Sequence, residues 1–296
     1  METISLSNFK NKKVGWIGTG VMGLSMCKHL IKAGLNVFVS NRTMSKTTPL
    51  VELGAVASDP ISIAKEVDYL FMILGFPIDV EEMTIGDKGV LQYMKKGSFI
   101  VDHTTSSPKL AEKIYFEAEK LGIYSYDVPV TGGDVGAREG KLISFVGGNK
   151  DHFDEIKPLL DVYSKQARYL GGAGIGQHSK MVNQIAICGN IQGVCESLLY
   201  AFKAGLDIKA IVELISQGAA GSTQLNVYGP RILNRDFEAG FFVDHFLKDI
   251  EIAVEESKRM GLDLKCLKLA QELYTYLVKE GYAKKGHHGL LLALEN

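Results

Sequence analysis

The ten residues Val14-Gly15-Trp16-Ile17-Gly18-Thr19-Gly20-Val21-Met22-Gly23 decide the fold. An apolar run ends in Gly-x-Gly-x-x-Gly and passes without a break into a helical pattern of Leu24, Met26, Cys27, Leu30 and Ile31. Strand, tight turn and helix start in that order are what a dinucleotide pyrophosphate needs. Gly18 permits the sharp turn, Gly20 lets the backbone approach phosphate, and Gly23 lets the helix pack close to the strand. The helix N-terminus adds unpaired N–H groups and a positive dipole end. Gly18, Thr19, Gly20, Val21, Met22 and Gly23 are therefore the first cofactor-binding candidates.

Around this turn the first part of the chain alternates short apolar runs with amphipathic segments. Val14–Ile17, Asn36–Ser40, Tyr69–Leu74, Phe99–Asp102, Tyr124–Val128 and Ile143–Val146 are predicted strands. Pro108–Leu121 is the clearest helix, with Leu110, Ile114 and Leu121 on one face. Strands alternating with helices predict an α/β domain, a Rossmann-type, mostly parallel, doubly wound sheet. After Leu170 comes a glycine-rich link, Gly171–Gly176, and beyond it no convincing strand. Residues 177–205 carry a long helical pattern with few charges between Met181 and Ala201, expected to be buried on most sides. Further helices are predicted near 208–217, 244–260 and 264–280. The expected organisation is a nucleotide domain over 1–171 and an all-α C-terminal domain over 172–296.

The bulk properties narrow the function. A chain of 296 residues is long enough for about two domains. Its 46% hydrophobic and 23% charged content suits a globular protein with a substantial core. A net charge of −1 gives no electrostatic reason to expect nucleic acid or an anionic membrane as partner. Residues 1–11 lack the apolar stretch of a secretory signal, and no apolar run looks long enough to span a bilayer. A cytoplasmic location is the default expectation. Cys27, Cys188, Cys195 and Cys266 are scattered, without C-x-x-C or nearby His, so neither a disulfide frame nor a metal site is expected. The tandem His287-His288 has no partner cysteine or acidic cluster and is not expected to bind metal either. The apolar long helix carries more apolar surface than one small helical domain can cover, which predicts a homodimer or homotetramer.

The end of the second strand bears on which nucleotide binds. An acid there would hold a ribose 2′-hydroxyl, whereas Arg accommodates a 2′-phosphate. Here Val37-Phe38-Val39-Ser40 runs into Asn41-Arg42-Thr43, with no carboxylate. Arg42 can pair with phosphate and stack on adenine, and Asn41 and Thr43 can hydrogen-bond to it. NADP is therefore expected in preference to NAD, although a solvated Arg at a strand end is the ordinary alternative.

Lys180 is the candidate proton donor. It lies in the first turn of an otherwise apolar helix, with Asn183 and Gln184 at i+3 and i+4 on its face. Desolvation eases proton loss from a lysine, and hydride transfer to a carbonyl creates an alkoxide that must be protonated. An ammonium both stabilises that charge and supplies the proton. The ordinary alternative is a surface lysine at a domain junction. Thr131, Gly132 and Gly133 fit a carboxylate cradle, because glycine N–H groups approach an anion unhindered and the threonine hydroxyl adds a donor. The alternative there is a plain strand end and turn.

Asp127-Val128-Pro129-Val130-Thr131-Gly132-Gly133, Gly174-Ile175-Gly176-Gln177-His178-Ser179-Lys180-Met181-Val182-Asn183-Gln184 and His245-Phe246-Leu247-Lys248-Asp249, together with Gly18–Gly23, resemble the β-hydroxyacid dehydrogenase family. The resemblance covers nearly the whole chain. It implies a reductase or dehydrogenase acting on a small β-hydroxy acid and its semialdehyde, with the catalytic lysine at Lys180. Thr131, Gly132, Gly133, Asn183 and Gln184 would then bind substrate. Lys248 would lie beside the cofactor, with Asp249 able to orient a lysine. Leu74 and Gly75 would lie over a ribose, and Thr104 would offer a cofactor-contacting hydroxyl. Two departures bear on the substrate: Thr131 stands where the family usually has Ser, and Gln184 where it often has Asn. His103 is not a usual family residue, and a satisfied structural histidine is its expected role. Competing readings are an imine reductase-like enzyme, a 6-phosphogluconate dehydrogenase-like decarboxylase, for which the chain looks short, and a non-catalytic dinucleotide-binding or interaction module.

Overall fold

A computed structural model describes residues 6–295, which form two compact units that meet in the chain between Lys180 and Met181. The first unit is built on a nine-stranded sheet. Its strands are β1 (Lys13–Ile17), β2 (Asn36–Ser40), β3 (Val56–Ala57), β4 (Tyr69–Met72), β5 (Phe99–Asp102), β6 (Tyr124–Asp127), β7 (Val130–Thr131), β8 (Leu142–Gly148) and β9 (Ser164–Gly171). Their order is β3-β2-β1-β4-β5-β6-β8-β7, with β9 on β8. Every pairing from β3 through β6 is parallel, as is β8 with β9; β8 runs antiparallel to β6 and β7. The central strands Tyr-Leu-Phe-Met and Phe-Ile-Val-Asp are buried at every position, the continuous apolar reading of a sheet covered on both faces.

The helices of this unit are α1 (Val21–Lys32), α2 (Thr48–Val51), α3 (Pro60–Glu66), α4 (Pro77–Ile85), α5 (Pro108–Lys120), α6 (Gly133–Glu139) and α7 (Phe153–Leu160). α5 starts where local chemistry dictates: Pro108 opens it, and the Ser107 hydroxyl accepts from the Leu110 N–H. The only tryptophan, Trp16, is fully buried and donates its indole N–H to the Gly18 carbonyl at 2.9 Å, so the core side of β1 also fixes the turn that follows it.

α8 (Ile175–Lys203) begins in the first unit and continues into the second, followed by α9 (Ile208–Ile215), α10 (Thr223–Leu233), α11 (Val243–Arg259), α12 (Lys265–Lys279) and α13 (Leu291–Leu294). In the second unit Cys188, Ile191, Cys195 and Leu198 of α8 share a core with Phe246 and Ile250 of α11 and Tyr274 of α12. No strand follows Gly171 among the described residues.

Several expectations need correction. The runs Tyr69–Leu74 and Tyr124–Val128 stop as strands at Met72 and Asp127, because the chain turns at the sheet edge, while Ile143–Val146 extends to Leu142–Gly148. β3 and β7 are two-residue strands too short to show a pattern. β9 is polar (Ser-Lys-Gln-Ala-Arg-Tyr-Leu-Gly) because it lies at the sheet margin with most of its side chains outward. The glycine link is shorter than expected: Gly171 closes β9, and Ile175 and Gly176 are already helical. α10 lies outside the predicted helices, because Gly229 and Pro230 interrupt its pattern. Leu121 caps α5 and is exposed, so it does not share the buried face of Ile114.

α8 also departs from expectation. It is not buried on most sides: Val182 is 71% exposed and Tyr200 74%. Its best 18-residue window has a mean hydropathy of 1.3, so by length and composition it is apolar enough to cross a membrane, contrary to the expectation that no run would be. The polar residues scattered along it hide this when only uninterrupted apolar runs are sought. Its buried stripe belongs to the helical core just described.

Candidate active site

In a parallel sheet the strand C-termini share one edge, where open α/β sheets bind ligands. Along this edge the segments are tied to one another. The Gly18 N–H donates to the Ser40 carbonyl at 2.9 Å, and the Thr19 N–H to Asn41 Oδ1 at 3.0 Å. Asn41 Nδ2 in turn donates to the Thr43 carbonyl at 3.0 Å, so the Asn41 side chain braces the glycine turn against the end of β2. Gly18 has φ +95°, and a Cβ there would overlap the Ile73 carbonyl oxygen; only glycine fits so close to the end of β4. The Leu74 N–H donates to Thr104 Oγ1 at 2.8 Å. Thr104 is thus buried in the scaffold, its hydroxyl holding the segment that includes Leu74 and Gly75.

The cradle fits a dinucleotide. A Cβ on Gly20 would meet nothing within 4 Å, so the space above the turn is open. The start of α1 has no side-chain cap, leaving its first N–H groups for a ligand, with Val21 exposed and Met22 partly so. Thr19 Oγ1 is buried with no hydrogen-bond partner. The Arg42 side chain is 93% exposed, 3.8 Å from Asp79 at its nearest approach, and thus able to turn towards a ligand.

His103, on the same edge, is fully committed to the core. It stacks near Trp16 and Phe71, and its two ring nitrogens lie 2.7 Å from the Val128 carbonyl and 2.8 Å from the Tyr163 hydroxyl. Burial pushes its pKa down from 6.5 to about 4, so the ring is neutral at pH 7. A base with a lowered folded-state pKa stabilises the fold above its unfolded value and loses that contribution as pH falls through the folded one. The window is therefore pH 6.5 down to about 4, worth about 3 kcal/mol. His103→Phe should be less stable than wild type at pH 7, with the gap closing towards pH 4. A gap unchanged across that range, read by Trp16 fluorescence melts, would refute this role.

Further along the edge, Lys180 is 7% exposed and donates from Nζ to the Val130 carbonyl at 2.9 Å. That contact places the ammonium beside the peptide leading into Thr131, Gly132 and Gly133. Gly132 and Gly133 both have positive φ, +125° and +64°, and both are exposed, so their backbone turns outward as an anion-binding bend would. A buried ammonium next to such a bend can hold a carboxylate and protonate a nearby oxygen.

In the helical unit a second polar chain lies buried. Asn183 Nδ2 donates to Gln184 Oε1 at 2.7 Å, and Gln184 Nε2 donates to Asp249 Oδ2 at 2.6 Å. Asp249 Oδ1 faces Lys248 Nζ at 3.0 Å. Both ends of the Gln184 amide are engaged by protein. This amide orders Asn183.

Asp127 and Gln177 lie within the sequence motifs, where nothing marks them as site residues. Gln177, fully buried, accepts from the Ser106 N–H at 2.9 Å and donates to the Thr104 carbonyl at 2.7 Å. A signal existed: Gly171-Gly172-Ala173-Gly174 offers no Ser, Thr, Asp or Asn to cap a 29-residue helix, so the cap had to come from elsewhere. His287 and His288 are buried packing groups, with Nε2 atoms 2.9 Å from Gln224 Oε1 and 2.8 Å from the Asp236 carbonyl. Among the described residues no group of three His, Cys, Asp or Glu side chains could hold a metal ion. A cleft of about 600 Å³ beside α4 and α5, lined by Glu81, Thr84, Gln92 and Lys113 among others, contains none of the residues above.

Comparison with known proteins agrees with this geometry. Residues 13–171 match the family described as the NAD binding domain of 6-phosphogluconate dehydrogenase. Residues 174–294 match the one described as "NAD-binding of NADP-dependent 3-hydroxyisobutyrate dehydrogenase". The Arabidopsis thaliana protein named "Probable 3-hydroxyisobutyrate dehydrogenase-like 1, mitochondrial" is 49% identical over 287 residues, 96% of this chain and 86% of its own. The 2-hydroxy-3-oxopropionate reductase of Escherichia coli (strain K12) is 35% identical, covering 96% of this chain and 97% of its own. Psf3, solved in complex with NADP+ and 2-OPP, superposes with a TM-score of 0.87 at 25% identity, covering 95% of this chain and 99% of that one. The chain belongs to the β-hydroxyacid dehydrogenase family and is an NAD(P)-dependent oxidoreductase acting on CH–OH groups.

Proposed function

We propose that the protein interconverts a small β-hydroxy acid and its semialdehyde, with NADP preferred over NAD and Lys180 as the proton donor. The observation that carries this reading is the Lys180 Nζ to Val130 carbonyl contact at 2.9 Å, which sets a buried ammonium at the base of the Thr131–Gly133 bend. When bound, a reduced nicotinamide supplies the hydride. The chain's own residues do the rest. The Thr131 hydroxyl and the Gly132 and Gly133 N–H groups grip the substrate carboxylate. Lys180 donates a proton to the carbonyl oxygen as negative charge develops there, and its positive charge stabilises that oxygen until the proton has moved. In the oxidative direction Lys180 takes the hydroxyl proton back. Thr131 carries one methyl more than serine, which favours short, unbranched acids. NADPH oxidation with glyoxylate and with succinic, tartronate and methylmalonate semialdehydes tests the reading; no turnover with any of them, in the presence of either cofactor, would refute it.

The NADP preference rests on Arg42, exposed at the end of β2, with no carboxylate at the strand end itself. A charge-assisted contact of this kind is worth about 1.5–3 kcal/mol. Arg42→Ala should therefore raise the KM for NADPH roughly 10- to 100-fold and leave that for NADH nearly unchanged. Equal effects on the two cofactors would exclude this role.

A further inference from the structure

We infer that Asp127 is a positioning residue of the reaction, holding the first turn of α8, and with it Lys180, against the strand end that leads into Thr131–Gly133. The inference rests on the reading of Lys180 as proton donor.

Asp127 is the last residue of β6 and only 5% exposed. Its two oxygens face two backbone donors at the start of α8: Oδ1 accepts from the Gly174 N–H at 2.9 Å, and Oδ2 from the Gln177 N–H at 2.8 Å. This is the work of an N-cap, done by a side chain from a distant strand. The fit is close enough to require bare backbone: a Cβ on Gly176 would overlap the Asp127 carbonyl oxygen and come within 2.8 Å of Oδ2. One turn after Gln177, Lys180 reaches back to the Val130 carbonyl, three residues beyond Asp127. Asp127, the helix start, Lys180 and Val130 thus form a closed circuit, completed by the Val128-Pro129 backbone. Moving the helix start away from β6, or the ammonium away from Val130, breaks one of its hydrogen bonds. Gln177 fixes the same turn independently to the end of β5.

An ionised carboxylate serves both donors best, because both of its oxygens are then full acceptors. Burial opposes ionisation and the two N–H groups favour it; the balance leaves the pKa raised from 3.8 to about 7. The charged group facing it from β5 is Asp102, its register partner, which pushes in the same direction as burial. From α8 the facing groups are the Gly174 and Gln177 N–H groups, and from β8 it is Gly147. Protonation removes one acceptor and loosens the helix start. The circuit is therefore intact above neutrality and weakened below it.

The test is Asp127→Asn, similar in size but with an amide nitrogen in place of one acceptor, assayed beside wild type and Lys180→Ala. Expected for Asp127→Asn are NADPH binding within about twofold of wild type, a kcat roughly 10- to 100-fold lower with a smaller change in aldehyde KM, and loss of the kcat limb near pH 7. A kcat within twofold of wild type with an unchanged pH profile overturns the proposal. So does a fall in kcat matched by an equal fall in NADPH-binding-competent protein. If Asp127→Asn does not fold, Asp127→Ser, which keeps one acceptor in less volume, is judged by the same criteria. Lys180→Ala separates the two claims: an inactive Lys180→Ala beside a wild-type-like Asp127→Asn sinks only the positioning role, whereas an active Lys180→Ala sinks the proton-donor reading beneath it.

Discussion

Lys180→Ala is expected to lower turnover at least about 10²-fold, and by as much as about 10⁴-fold, while NADPH binding stays near the wild-type level. Two contributions are lost together. The proton that must reach the developing alkoxide has no donor, and the positive charge that stabilises that oxygen is gone. Neither contribution is made to the dinucleotide cradle, which is built from the Gly18–Gly23 turn, Asn41 and the ends of β4 and β5. Lys180→Arg keeps the charge but holds its proton too tightly to give it up, and its planar head cannot occupy the space of a compact ammonium. It is expected to recover little of the lost rate. Single-turnover NADPH oxidation with saturating aldehyde, alongside fluorescence titration of NADPH, measures both quantities. Retention of a tenth of wild-type turnover by Lys180→Ala would rule out its role as general acid.

Residue types and their order made the nucleotide half of the molecule legible. Asn36–Ser40 and Phe99–Asp102 match the structure to the residue, because each is a short run of Val, Ile and Phe closed by a polar residue at the sheet's C-terminal edge. The glycine turn was legible because Gly18 has no substitute beside the Ile73 carbonyl. Lys180 stood out as a charge in an apolar helix. What sequence could not show was which polar groups are spent on the scaffold. Thr104 and Asn41, expected to contact the cofactor, also brace neighbouring loops, and Gln184, expected to bind substrate, has a protein partner at each end of its amide. A hydroxyl or amide at a strand end has the same letter in either role; only the position of its partner distinguishes them. Asp127 failed to stand out for the same reason, since its donors lie 47 and 50 residues away in the chain.

The buried chain Asn183–Gln184–Asp249–Lys248 supports the other large prediction: Asp249→Ala should destabilise the helical unit by about 3–5 kcal/mol. The carboxylate is almost fully buried, with side-chain exposures of 3% for Asp249 and 11% for Lys248. Removing it takes a carboxylate at 3.0 Å from the Lys248 ammonium and the acceptor at 2.6 Å from the Gln184 amide, both at sites with little access to water. The pair as such need not stabilise the fold, because desolvating two charges offsets most of their attraction. Lys248→Met with Asp249→Leu, which replaces both charges by apolar groups, should therefore recover the part of the loss due to the stranded ammonium and keep only the cost of the Gln184 amide left without its acceptor, about 1–3 kcal/mol. Trp16, the only tryptophan, lies in the nucleotide unit. Its fluorescence should melt near the wild-type temperature in Asp249→Ala, whereas the far-ultraviolet helical signal should begin to fall earlier. Coincident and unshifted transitions in Asp249→Ala would show that the carboxylate is not needed to keep Lys248 in place. A stable double variant with weakened NADPH binding would assign Lys248 to the cofactor, because its fold would no longer depend on the ion pair it had lost.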